Sequence, residues 1–197
     1  MVSMEYSFAS TRELRLNGLQ FPFPLRWRAE RGNHRLLPLN GKLLSGRHGE
    51  VRVKPEQRFD VAVMPDLAGA AVGCIVLDCM SNLTESAPDW YKMAVEYAGK
   101  NQNFGLTLAQ SMFFSPEYSW SLTGVAERLK IEPRAIQMAL FRESYSFAST
   151  LRRCRRLRKL LSVMGAEPLD VPRTILCGRV CRSGVTKNVS CPEGSFD

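Results

Sequence analysis

The residues of this chain best suited to chemistry are cations and amides set at helical spacing. From Pro133 to Leu161 the sequence carries eight Arg or Lys and a single acid, Glu143, against a formal net charge of +8 for the whole chain. Nearly all of the positive excess therefore lies in this one stretch. Gln bonds adenine N6/N7 in a bidentate way, and Arg does the same with guanine O6/N7. Arg134, Ala135, Gln137 and Met138 are the candidates for reading base edges. Arg142, Arg152, Arg153 and Arg156 are the candidates for phosphates, which supply affinity and salt dependence without sequence information. The competing assignment for each Arg is a solvated charge on a helix face. Clustering favours the nucleic-acid assignment for the group more than for any single member.

Three helices must position these groups. Leu122, Val125, Ala126 and Leu129 recur at i, i+3, i+4 and i+7, one buried face of a short helix with Ser121 placed to cap it. Lys130-Ile131-Glu132 interrupts that face. Pro133 then stands where a helix tolerates a missing N–H. Ile136, Ala139, Leu140 and Glu143 share one side of the new helix, while Arg134, Gln137, Met138 and Phe141 lie broadly on the other. Two short helices joined by three residues suit a helix-turn-helix, whose second helix enters the major groove. Phe147, Leu151, Cys154, Leu157 or Arg158, and Leu161 mark the apolar stripe of a third, longer helix.

Trp120–Leu161 resembles the first helix-turn-helix and following linker helix of the AraC/XylS transcriptional regulators. The match rests on Leu122-x-x-Val125-Ala126-x-x-Leu129, on Ile131-Glu132-Pro133-Arg134-x-Ile136-Gln137-x-x-Leu140, and on Phe147 with Arg155 eight residues later. The resemblance implies a sequence-specific DNA-binding regulator, an activator, in a bacterial cytoplasm. It implies double-stranded DNA and RNA polymerase as partners, with a homodimer or a partner protein completing the assembly. Ser144 stands where the family often has glycine, Met138 where it often has arginine, and no second helix-turn-helix follows. That last departure keeps an alternative open, a protein–protein interaction module with a helix-turn-helix-like core and a basic helix that does not bind DNA on its own. An arginine-rich helix is also compatible with RNA.

The expected fold class is α+β: a small β-containing N-terminal region, then helices, a C-terminal helix-turn-helix and an irregular tail. Residues 1–115 are read as an effector-binding, partner-binding or dimerisation region, 116–165 as the DNA-binding region, and 166–197 as the tail. Leu36–Met64 has β texture, with a hairpin signal at Asn40-Gly41 and clean alternation over Glu50–Lys54. Phe21–Pro24 reads as extended, and Trp27, among Arg26, Arg28 and Arg31, as the anchor of a surface segment. Leu67–Leu77 is a buried strand or core helix. Ser86–Asp89 opens a helix with Trp90, Met93, Ala94 and Tyr97 inward, and Phe104–Phe114 is another. The hexapeptide YSFAST occurs at both Tyr6–Thr11 and Tyr145–Thr150, a coincidence rather than an architectural repeat.

Other classes draw little support. An enzyme is not expected. Only His34 and His48 could serve as a base, no GxSxG or HExxH occurs, and the acids Glu127 and Glu132 look like solvated surface. Neither a metal nor a cofactor is expected. The two histidines lack neighbouring ligands, and Cys177, Cys181 and Cys191 do not fit a common zinc spacing. Cys74 and Cys79 read as small apolar packing residues. The longest apolar run, Leu67–Leu77, is too short for a bilayer, so no membrane partner is expected. With no apolar N-terminal run, a cytoplasmic chain with reduced thiols is the expectation.

Overall fold

The computed structural model of the chain describes residues 2–38, 44–46, 49–79, 87–99 and 103–166. Eight strands come first: β1 (Val2–Ser10), β2 (Leu14–Leu19), β3 (Leu25–Arg31), β4 (Asn33–Pro38), β5 (Leu44–Gly46), β6 (Glu50–Val53), β7 (Phe59–Met64) and β8 (Ala71–Cys79). They form two antiparallel sheets, ordered β1-β8-β3-β6 and β2-β7-β4-β5. Five helices follow: α1 (Trp90–Ala98), α2 (Phe104–Phe114), α3 (Leu122–Leu129), α4 (Pro133–Arg142) and α5 (Phe147–Ala166). The architecture is α+β, a β-sandwich followed by helices.

Alternation along the strands builds the sandwich core, because successive side chains point to opposite faces. On β3, Leu25, Trp27 and Ala29 are buried, while Arg26 and Arg28 face outward and pair with Asp78 at 2.8 Å and Glu50 at 3.0 Å. The surface role expected for Trp27 is therefore wrong, since its side chain is 1% exposed. Trp27 and the arginines beside it are one strand seen from both faces. Phe59, Val61 and Val63 close the core from β7. The apolar run at Leu67–Leu77 divides into an exposed turn, with Leu67 in solvent, and the buried strand β8.

Trp27 is fixed by a polar side chain buried deep in this core. Its indole Nε1–H donates to His34 Nδ1 at 3.0 Å, and the other ring nitrogen of His34 lies 2.8 Å from the Arg31 carbonyl oxygen. Those bonds need a neutral imidazole carrying its proton on Nε2, the nitrogen that donates to the carbonyl. Gly73 makes room for the pair: a Cβ there would sit 2.7 Å from His34 Cε1 and 2.8 Å from Phe8 Cζ.

The helices begin and end where local chemistry dictates. Asp89 caps α1 by accepting from the Lys92 N–H at 2.9 Å, and Gly99 closes it. Met93 is buried and Trp90 and Tyr97 are half-buried, but Ala94, expected inward, is exposed. Most of α2 is buried. Its Phe113 meets Phe21 and Phe23 of the β2–β3 connection edge-on, Phe114 lies tilted against Phe23, and Gln110 donates to the Pro22 carbonyl at 3.0 Å. That extended connection is thus the seat of α2 on the sandwich. The expected boundary at 115/116 falls just after α2, yet α2 also packs against α4 and α5 beyond it. Asn40-Gly41, His48, and the tail with Cys177, Cys181 and Cys191 lie outside the described residues.

Burial lowers the pKa of His34 below its ordinary value. The unfolded chain then takes up a proton that the folded chain refuses, so His34 costs no stability above about pH 6.5 and an increasing amount below it. The expected result is a falling urea midpoint between pH 7 and pH 5, monitored by circular dichroism, with a shallower fall in His34→Gln.

Candidate nucleic-acid interface

The pair α3–α4 follows from its own caps. Ser121 accepts from the Gly124 N–H at 3.0 Å, and Lys130 ends α3 in the left-handed region at φ 57°. Pro133 starts α4 at its first turn. Val125 and Ala126 of α3 and Ile136 and Leu140 of α4 are buried. The opposite side of α4 faces solvent: Arg134, Gln137, Met138, Phe141 and Arg142 are exposed, and Ala135 is half-buried. Three of the four expected base-edge residues therefore share an open face. Phe141, at 76% exposure, belongs to the same face and was missed as a candidate. Its spacing from Arg134 and Gln137 was the available signal.

The turn after α4 ties this pair to α2. The Glu143 carboxylate accepts from the Phe104 N–H at 3.2 Å and the Gly105 N–H at 2.7 Å, so a residue 38 positions away caps α2. Negative charge at a helix N-terminus also meets the favourable end of the helix dipole. Ser144 turns the chain at φ 62°, a left-handed conformation that glycine adopts most readily. Tyr145 then lies flat against Gly105, where a Cβ would overlap its ring.

α5 packs on α2 and β1 through Cys154, Leu157, Leu161 and Met164. Burial pushes the Cys154 thiol up to about 12, and its Sγ donates to the Ala109 carbonyl. Arginines beside this stripe bond to the body of the protein. Arg153 makes a two-pronged pair with Glu56, at 2.6 and 2.8 Å. Arg158 donates to the Tyr6 hydroxyl at 3.1 Å and lies over the Phe113 ring. Arg155 donates to the Pro116 carbonyl at 3.0 Å. Glu56 holds its place through a turn over Lys54–Gln57, with Pro55 second and Glu56 third at φ 60°, a backbone arrangement that normally calls for glycine.

Arg153 therefore does not stand where a phosphate contact was expected; its side chain is only 16% exposed and its charge is taken by Glu56. Arg142, Arg152 and Arg156 are exposed. Arg152, Arg155, Arg156 and Lys159 form an outward ridge on α5, and among the described residues none of the four has a carboxylate partner. Arg155 and Lys159 had been overlooked, although both fall within one helical turn of Arg152 or Arg156. An open cleft of about 440 Å³ beside the Arg153–Glu56 pair is lined by Gln20, Glu56, Ser146, Ser149, Thr150 and Arg153. Among the described residues no group of three or more His, Cys, Asp or Glu could hold a metal ion. No described helix is long and apolar enough to cross a membrane.

No family model matches this sequence, and no curated protein matches it significantly. Solved structures do. ToxT from Vibrio cholerae, an AraC-family regulator, is 8% identical with a TM-score of 0.50, over 84% of this chain and 85% of its own. That share is too large for the sandwich alone and takes in helices as well. At this identity the likeness is one of fold: a β-sandwich followed by helices. A structure of unsaturated fatty acid bound wild-type ToxT from Vibrio cholerae strain SCE256 aligns at 10% identity and TM-score 0.45, over 84% of this chain and 82% of its own. A cupin family protein from Methanocaldococcus jannaschii aligns at 10% identity and TM-score 0.32, over 38% of this chain and 68% of its own.

Removing one member of a buried ion pair strands the other's charge. Arg153→Met is expected to cost on the order of 2 kcal/mol, less than the ~3–5 kcal/mol of a fully buried pair, because both side chains keep some solvent contact. Adding Glu56→Leu recovers part of the loss. Urea denaturation of the two single variants and the double variant measures the coupling.

Proposed function

We propose that this chain is a sequence-specific DNA-binding transcriptional regulator of the AraC type, acting as an activator. The observation that carries the reading is the open face of α4, with Arg134, Gln137 and Met138 exposed and the hydrophobic residues of the same helix buried. The α5 ridge supports it by offering phosphates exposed cations that have no carboxylate partner among the described residues. The likeness of fold to ToxT is consistent with this reading and adds an N-terminal sandwich of the right kind. In this scheme α4 enters the major groove, with Arg134 and Gln137 bonding base edges and Ala135 close beside them. Arg142, Arg152 and Arg156 hold phosphates, joined by Arg155 and Lys159, while Arg153 serves as a structural tie. Contact with RNA polymerase would follow from the activator role.

One such unit offers few base contacts, and specific affinity usually rests on two half-sites. We therefore propose a homodimer, and α1 supplies a face for it. Tyr91, Ala94, Val95 and Ala98 form an exposed stripe opposite buried Met93, with Tyr91 82% and Val95 51% exposed. Lys92 and Glu96 flank that stripe on one side. An antiparallel pair of α1 helices centred near Ala94 would set Lys92 of one copy opposite Glu96 of the other, as a two-fold interface requires.

The interaction-module reading has one observation in its favour, the exposed apolar pair Met138 and Phe141. Binding measurements separate the two. On a duplex selected from a random pool, Gln137→Ala is expected to lose about 1–3 kcal/mol and to lose little on unrelated duplex. Arg152→Ala is expected to weaken all duplexes alike and to flatten the salt slope by about one unit. Equal losses on selected and unrelated DNA from both variants would move the interaction module ahead.

A further inference from the structure

Phe141 has no role in the scheme above, yet it lies on the exposed α4 face, in the last turn of the helix. It follows Gln137 by one helical turn, and its exposure of 76% is the largest of any large apolar side chain among the described residues of α3–α5. Its neighbours on the face are Arg134, Gln137, Met138 and Arg142, all exposed. Only Met138 extends the apolar surface. An interface to another protein would call for a wider apolar centre with charges moved to its rim. Here single apolar groups sit among amide and guanidinium groups, and no described carboxylate pairs with Arg134 or Arg142. The major groove presents the complement of that mixture. Its floor carries hydrogen-bonding base edges and one apolar group, the 5-methyl of thymine, and its walls are phosphates.

We propose that Phe141, assisted by Met138, is a specificity-determining residue that packs on the 5-methyl group of a thymine. The inference rests on the DNA-binding reading of α4 and adds a base to it. Four residues along a helix rise about 6 Å, so Phe141 reaches about two base pairs from the base read by Gln137. The preferred site then contains a thymine at that separation from an adenine. Met138 explains itself in the same way: it widens the apolar contact where an arginine would call for guanine.

The test replaces thymine with deoxyuridine, which removes the methyl and keeps every hydrogen-bonding group. The full chain is first used to select a site from a random duplex pool, and each thymine of that site is then exchanged singly. One or two exchanges are expected to weaken binding about fourfold, the worth of one buried methyl. Phe141→Ala is expected to lose that sensitivity at the same positions while melting like the parent chain, because the side chain it removes is exposed. Phe141→Leu is expected to retain part of it. A selected site indifferent to every exchange, or one whose sensitivity survives in Phe141→Ala, overturns the thymine contact and leaves DNA binding standing. If no site is selected, the DNA-binding reading and the thymine contact both fall.

Discussion

The Arg153–Glu56 pair is the constraint on which the placement of the C-terminal helices depends. Glu56 sits in a turn that holds a non-glycine residue at φ 60°, a conformation that costs an L-residue about 1–2 kcal/mol. The turn keeps it because the carboxylate then meets both guanidinium prongs of Arg153 and the Gln20 amide. Burial raises the Glu56 pKa, and Arg153 opposes that shift. The pair thus joins the β6–β7 turn of the sandwich to the middle of α5. Removing either partner would leave the other's charge largely buried and unpaired.

From that anchor the rest of the C-terminal half is placed by short-range chemistry. α5 runs over α2 and β1, and its first turn follows directly from Ser144 and Tyr145. Tyr145 presses on Gly105 while Glu143 caps α2. α2 in turn is seated on the sandwich by the Phe21–Phe23 segment. The face of α4 is therefore oriented by contacts that all lie behind it. The same economy divides the arginines of α5 into two sets. Arg153 and Arg158 belong to the protein's own packing, whereas Arg152, Arg155, Arg156 and Lys159 are exposed and have no carboxylate partner among the described residues.

Much of this was legible in the sequence. Helical periodicity, Ser121, Pro133 and Phe104–Phe114 define elements that coincide with those observed, because caps and apolar spacing act locally. The outward face of α4 was legible for the same reason. What escaped depended on partners distant in the chain. Nothing near Arg153 identifies Glu56 as its partner, so Arg153 looked like any other cation of the cluster. Trp27 looked like a surface anchor because the strand alternation that buries it was not recognised beside three arginines. The hexapeptide YSFAST makes the limit concrete: at Tyr6 it runs in β1, and at Tyr145 it forms a turn and the first residues of α5. Six identical residues take two structures because tertiary context overrides local propensity.

The central claim is that α4 presents its outward face to the bases of DNA while α5 meets only the backbone. Site-directed photocrosslinking addresses it directly. A photoreactive side chain is placed at position 138 or at position 152 of the full chain, which is then bound to a selected duplex. The account predicts a crosslink from position 138 to a base at one position of the site, and crosslinks from position 152 that do not depend on sequence. Tight binding with no crosslink from position 138, or the same sequence-independent pattern from both positions, would contradict it.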